Sequence, residues 1–357
     1  MIPAQIDLGF HFYGSGNIGD DLMLAGFLQG LKTIAPEGSY ILRGVSAFDL
    51  ASQRRRFPEI SWSSVDEMSR WSKNGELWLG VGDTPFQITS GPWFLEYLEA
   101  QRQRLSSYPR KLLLGVGAES EIATHKNSFS TIANCFDLIL TRDRRSSHIL
   151  TEMLGVPQAR VIDGGDLAHI GIPDIAMAVE QMPRRYGIGL NVTVDTLSPP
   201  DLAQIKRFVL KCREPIAFVA NDVRPYPNFE SGIYATLAPW PWSPVRRKAP
   251  LLLPDYRKGL LHDLLKPLAH CETVISSRYH GLMAAAWLGR KVAAIVRSSK
   301  IGEIVEEMGI PVEQLPLSAE KLERLQHDAC IVPRATLESH RVKAILGLRV
   351  ALNGVLA

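Results

Sequence analysis

The sequence predicts an α/β protein made of two Rossmann-like domains facing a cleft, on three observations. Short β-rich runs ending in Gly, Asp or Ser alternate with helical segments along the chain, which is the βαβ rhythm of a parallel sheet. The rhythm breaks at "AMAVEQMPRRYG" (176–187) and then restarts. A chain of 357 residues, 46% hydrophobic and 22% charged, holds enough apolar material for two separate cores.

The first strand is expected in "IDLGFHF" (6–12). The glycine-rich "YGSGNIGDDLML" (13–24) leads from it into a helix whose Leu24, Phe27, Leu28 and Leu31 recur on one face. Further strands are expected in "SYILRGV" (39–45), "ELWLGVG" (76–82), "KLLLGVG" (111–117), "FDLILTRD" (136–143) and "ARVIDGG" (159–165). Each is an apolar run of strand length stopped by turn residues. After the break, "YGIGLNV" (186–192), "PIAFVAND" (215–222), "ETVISS" (272–277) and "KVAAIV" (291–296) repeat the pattern. With the boundary near Pro183, the domains are placed at 1–183 and 184–336, and the amphipathic stretch within 337–357 is expected to pack back on the first domain. Two such halves, with ligands at the strand ends, make the architecture of B-type glycosyltransferases, a comparison of fold alone.

Composition narrows the partners. The start, "MIPAQIDLGFHFYG", lacks the basic and apolar regions of a signal peptide, and no apolar run reaches the roughly 18 residues of a membrane span, so a cytoplasmic protein is expected. Cys135, Cys212, Cys271 and Cys330 are scattered without ligand spacing, so free thiols and no metal are expected. A formal charge of +3 is too small to argue for nucleic acid, and suits an acidic small molecule met by locally placed cations.

Those cations stand at strand ends, where open α/β sheets bind ligands. In "ETVISSRYHGLMAAAWLG" (272–289) a strand ends in two serines and sets Arg278 and His280 before an all-apolar helix, whose N-terminus favours anions. Asn221, Asp222 and Arg224 follow "PIAFVA", Arg297 and Lys300 follow "KVAAIV", and Arg142 ends "FDLILTRD". Arg144 and Arg145 read as a solvated face. Together Arg142, Arg224, Arg278, His280 and Lys300 suit a ligand carrying both phosphate and carboxylate. Gly14, Gly16 and Gly19 match a dinucleotide fingerprint by spacing, yet no acidic residue ends the second strand near Gly44 to hold a ribose. That loop brings backbone close to something, while Asp20 reads equally well as a helix cap. His11 and His169 lie near strand ends and receive no role.

"GNIGDD" (16–21), "RDRRS" (142–146) and "SSRYHGLMAAAWLG" (276–289), in this order, resemble the polysaccharide pyruvyl transferase family over nearly the whole chain. Two departures bear on acceptor choice: Gly80, Val81 and Gly82 stand before Asp83 where consecutive glycines are usual, and Tyr279 stands where leucine is common. The resemblance implies transfer of an enolpyruvyl unit from phosphoenolpyruvate to a sugar, or lipid-linked saccharide, of a cell-surface polysaccharide. It implies closure as a cyclic ketal, with phosphate released and no cofactor. It also implies an essential histidine at His280, and Arg142, Arg278, Lys300 and Arg224 on the donor, the second domain being the donor side. Asp20 or Asp83 would orient or deprotonate sugar hydroxyls from the acceptor side, the first domain, with Gly16, Asn17 and Gly19 as acceptor contacts. Two rivals stand beside it: a B-type glycosyltransferase with His280 or Lys300 on the diphosphate of a nucleotide sugar, and a non-catalytic sugar-phosphate binding protein. Separately, Trp240 and Trp242 precede Arg246, Arg247 and Lys248 in a proline-rich segment. This is the pattern of a peripheral contact at the inner face of a membrane, and equally of tryptophans packed on the second domain or lining the acceptor cleft.

Overall fold

The computed structural model describes residues 4–36, 40–68, 75–88, 91–193, 197–224, 229–257, 259–296 and 298–353. The chain divides into two compact units, one of Met1–Ser15, Asp20–Gly171 and Ser339–Ala357, the other of Gly16–Gly19 and Ile172–Glu338. They part in sequence at Gly171 and Ile172, inside the helix Ala168–Met177 and directly before its Pro173, whereas Pro183 lies beyond that helix.

The first unit holds a parallel sheet of β1 (Ala4–Leu8), β2 (Tyr40–Ser46), β3 (Ile60–Ser64), β4 (Leu77–Val81), β5 (Arg110–Val116), β6 (Leu138–Thr141) and β7 (Val161–Asp163), in spatial order β3-β2-β1-β4-β5-β6-β7. Every residue of β4 is buried, as expected of a strand covered on both faces. β1 ends at Leu8, earlier than its sequence pattern, because Phe10, Phe12 and Tyr13 leave the sheet. Phe10 packs 5.1 Å from Phe12 and 5.0 Å from Phe94, so the aromatic run that reads as strand is buried loop. β3, "ISWSS", has no counterpart in the sequence reading, since serines interrupt its short apolar pattern. The closing helix Arg334–Leu352 joins this unit from Ser339 onward. There a side chain on Gly347 would meet Gly164 Cα at 2.5 Å, so glycine at both positions permits backbone contact.

The second unit holds β8 (Tyr186–Asn191), β9 (Ile216–Val219), β10 (Leu251–Leu252), β11 (Cys271–Ser276), β12 (Lys291–Val296) and β13 (Val312–Gln314), in order β10-β9-β8-β11-β12-β13, with β14 (Cys330–Ile331) antiparallel to β12. Ile188, Leu190, Phe208, Ile216, Phe218, Ile275 and Ile295 lie in one core cluster under these strands. In each sheet the direction of strand succession reverses once, between β1 and β4 and between β8 and β11. Such reversals open a crevice at the carboxyl ends of the strands. β4 leads to Asp83 and β11 leads to Arg278 and His280. Among the described residues, no helix is long and apolar enough to cross a membrane.

Candidate functional site

In the second unit the turn after β11 is built by a relay of buried polar groups. Asn191 Nδ2 donates to Val219 O at 2.8 Å, Ser276 Oγ donates to Asn191 Oδ1 at 2.7 Å, and Arg278 N donates to Ser276 Oγ at 2.9 Å. Arg278 then takes an extended conformation and the helix Tyr279–Trp287 begins, buried along most of its length as its apolar run predicts. Gly281 is required here: a Cβ would meet Asn191 Oδ1 at 2.2 Å and Asn221 Nδ2 at 2.6 Å.

The Arg278 guanidinium is held by a carboxylate the sequence reading did not single out. Its Nε and Nη2 donate to the two oxygens of Glu230, each at 2.9 Å, and Glu230 is 2% exposed. Glu230 opens the helix Glu230–Leu237, where a negative charge is favoured, and also accepts from Asn221 N at 3.1 Å. Fully buried Asp222 accepts from Arg224 Nε at 2.9 Å and lies 3.7 Å from Arg278 Nη2. The Phe229 ring lies near both guanidinium groups, its centroid 4.5 Å from Arg224 Cζ and 5.4 Å from Arg278 Cζ. Two arginines thus meet two carboxylates, with their formal charges matched one to one. Lys300 is half-buried in the first turn of the helix Ser299–Met308 after β12, and Arg297 lies outside the described residues.

The structure places Gly16, Asn17 and Gly19 in this unit, not on the first domain as the sequence suggests. Ile18 N donates to Asn221 O at 2.9 Å and Val223 N to Gly16 O at 3.0 Å, so the segment runs as a short ladder along residues 221–223. Gly16 has φ +118° and its Cα faces Val223 and Arg224. A Cβ on Gly19 would fall 2.3 Å from His280 Nδ1, so the half-buried imidazole rests on bare backbone. Asn17 Oδ1 accepts from Gly19 N at 3.1 Å at the start of the helix Ile18–Ile34, which makes Asn17 the cap and leaves Asp20 in the first turn.

At the strand ends of the first unit, Asp83 is the one non-glycine among the described residues with positive φ, 65°. Its Oδ1 accepts from Thr84 N at 2.6 Å and its carbonyl from Gly117 N at 2.8 Å. Left-handed backbone at an aspartate is uncommon, and such departures concentrate at functional positions. Asp20 is 5% exposed. Tyr13 donates to Val81 O at 2.9 Å; burial pushes its phenol well above the usual range, with the charges of Asp20, Tyr97 and Asp83 adding to the effect. A neutral phenol is thereby held among these groups. Asp21 is occupied structurally, accepting from Gly14 N at 2.9 Å and from the buried Arg56 at 3.1 Å.

Arg142, after β6, is 4% exposed, and its Nε donates to Asp143 Oδ2 at 3.2 Å. A Cβ on Gly117 would fall 2.5 Å from its guanidinium. Asp143 caps the helix Arg144–His148 through Ser146 N at 2.6 Å. Arg144 is exposed and Arg145 donates to Ser120 Oγ at 3.1 Å. His169 is buried and stacks on His340 at 5.1 Å, a packing role. Among the described residues, no group of three His, Cys, Asp or Glu side chains could hold a metal ion.

Comparison with solved structures places this architecture. The UDP-N-acetylglucosamine 2-epimerase of Rickettsia bellii is similar with a TM-score of 0.66 at 12% identity, over 100% of this chain and 96% of that one. The UDP-GlcNAc 2-epimerase of Methanocaldococcus jannaschii gives 0.61 at 10% identity, over 98% and 99%. Anabaena Alr3699/HepE in complex with UDP gives 0.58 at 12% identity, over 100% and 99%. At such identities the likeness is one of fold, the B-type glycosyltransferase-like pairing of two α/β units. No curated protein matches the sequence. The family model for polysaccharide pyruvyl transferase matches residues 17–299, which takes in the 16–19 ladder from Asn17, the Arg142 strand end, the Arg278–His280 turn and the start of the Lys300 helix. With most of its length covered by that match, the chain belongs to the polysaccharide pyruvyl transferase family.

Proposed function

We propose that the protein transfers an enolpyruvyl unit from phosphoenolpyruvate to a sugar of a cell-surface polysaccharide or its precursor, closing it on two hydroxyls as a cyclic ketal. The observation that carries this reading is the turn after β11, where His280 opens a helix beside a guanidinium fixed by two hydrogen bonds to Glu230. As the general acid, His280 gives a proton to the methylene carbon, and C2 becomes an oxocarbenium-like electrophile. One sugar hydroxyl adds to C2 and loses its proton. Phosphate then leaves, the second hydroxyl adds in its place, and a further proton is released. Asp20 or Asp83 orients or deprotonates these hydroxyls. Because the charges of Arg224 and Arg278 are matched by Asp222 and Glu230, these arginines act as fixed donors and add little net charge. Lys300 and the amides of the helix N-terminus add to the attraction for the anionic donor. On the first unit, Arg142, oriented by Asp143, is proposed as a further contact to the donor.

Incubation of the protein with phosphoenolpyruvate and candidate sugars tests the reaction. The expected result is inorganic phosphate together with a sugar heavier by pyruvate less water. Turnover of a UDP-sugar without phosphoenolpyruvate would instead assign nucleotide-sugar chemistry, and donor binding with no phosphate release would leave a binding protein.

Two substitutions probe the parts separately. Lys300→Ala is expected to weaken phosphoenolpyruvate binding by about 10- to 100-fold, the loss of one charge-assisted contact, with acceptor affinity unchanged. Titration calorimetry showing wild-type donor affinity would remove Lys300 from the site. Gly19→Ala sets a methyl against the imidazole and is expected to lower turnover by about 10- to 100-fold, the usual effect of a displacement near 1 Å. Steady-state kinetics beside a thermal melt separates this from unfolding, and unchanged kcat in a folded variant contradicts it.

A further inference from the structure

The segment carrying Trp240 and Trp242 has no part in the site described above. Ser243 N donates to Trp240 O at 3.0 Å, closing a turn with Pro241 at its second position, where proline's fixed φ is favoured. Pro239 and Pro244 flank that turn and stiffen it further. Neither indole packs into the core of the second unit: they are 60% and 64% exposed, and stack on each other with centroids 6.1 Å apart and planes 8° from parallel. Of the alternatives the sequence leaves open, packing of the tryptophans on the second domain is not what these exposures show. The short helix Pro244–Lys248 follows directly. Arg246 Nη2 donates to Ala238 O at 3.0 Å and Lys248 Nζ to Leu210 O at 3.1 Å, so both are tethered by carbonyls, and Arg247 is exposed. Among the described residues none of the three forms an ion pair, and no Asp or Glu occurs between Glu230 and Asp255.

We propose that this face docks on an anionic lipid surface, with the indoles at headgroup level, Arg247 toward the phosphates, and the tethered Arg246 and Lys248 adding positive charge beside it. A lipid headgroup layer takes both kinds of group in the same few ångströms of depth. A stable protein interface covers roughly 800 Å² per partner, while two partly exposed indoles supply on the order of 300 Å². A bilayer needs no contoured counterpart, so the small patch suffices. A soluble anion would gain nothing from exposed tryptophans.

Co-sedimentation of the full chain with vesicles tests the proposal. Wild-type protein is expected to pellet with phosphatidylcholine vesicles containing phosphatidylglycerol, at about 50 mM salt, and to be released at about 300 mM as screening shortens the reach of the charges. Vesicles of phosphatidylcholine alone should pellet little of it. Trp240→Ser with Trp242→Ser should lower partitioning about tenfold. Arg247→Gln should lower it about fivefold, from the roughly 1 kcal/mol that one cation contributes near such a surface. All three side chains are exposed, and a thermal melt checks that the variants fold. Failure of the wild type to pellet, or equal pelleting by the tryptophan double variant, overturns the proposal. So does Trp-dependent binding to a soluble acidic polysaccharide with none to vesicles, which would give the face to a glycan.

Discussion

Replacing His280 with alanine is expected to leave a folded protein whose turnover is lower by about 10²- to 10⁴-fold, the usual contribution of a positioned acid or base. The ring is half-buried, stands edge-on to Tyr279 at 5.2 Å and rests on the Gly19 backbone. It fills no core cavity, so its removal carries only a small packing loss. Phosphate release measured beside a thermal melt decides the case. A variant that melts as the wild type does and turns over at the wild-type rate takes His280 out of the chemistry.

Glu230→Ala should have the largest effect on stability of any substitution at this strand end. It removes at once the partner of Arg278 Nε and Nη2 and the acceptor for Asn221 N, and leaves a guanidinium side chain only 14% exposed without its closest carboxylate. Breaking a buried pair from one side costs about 3–5 kcal/mol, of which Asp222, 3.7 Å away, recovers part. For a domain of this size each kcal/mol moves the melting midpoint by about 2–4 °C, so a fall of roughly 5–15 °C is expected. Glu230→Gln keeps the shape and one acceptor oxygen, and should melt closer to wild type while still lowering turnover, because Arg278 is no longer fixed. Unchanged melting of Glu230→Ala would show that Asp222 alone holds the arginine.

Much of the second sheet was legible because strands buried on both faces leave unbroken apolar runs, as in "ETVISS" and "KVAAIV", with no alternation to blur them. The Arg278–His280 turn was legible for a different reason: strand end, charged pair and helix start are consecutive in the chain. Glu230 was not legible, since it reaches Arg278 across 48 positions and nothing local distinguishes it from a surface glutamate. Gly16 and Gly19 could be read as positions of close approach, but their partners, Arg224 and His280, lie far along the chain. Sequence neighbourhood placed them with the wrong sheet. Arg142 looked like a ligand contact at a strand end, and Asp143 next to it shows how such a residue also settles its charge within the protein.

The helix Arg334–Leu352 sets the order in which the chain can finish folding during synthesis. Its residues from Ser339 belong with a sheet whose last strand ends at Asp163, so the ribosome delivers the whole of 172–338 before the first unit receives its final piece. Until then the backbone at Gly164 and the Gly30 and Ile170 surface, which Leu348 later covers, stay open to water. An apolar seam left uncovered for over 160 residues of elongation, at about 5–20 residues per second, is exposed for roughly 10–30 s. Nascent chains stalled in this interval are therefore the species in which aggregation or chaperone capture should be greatest.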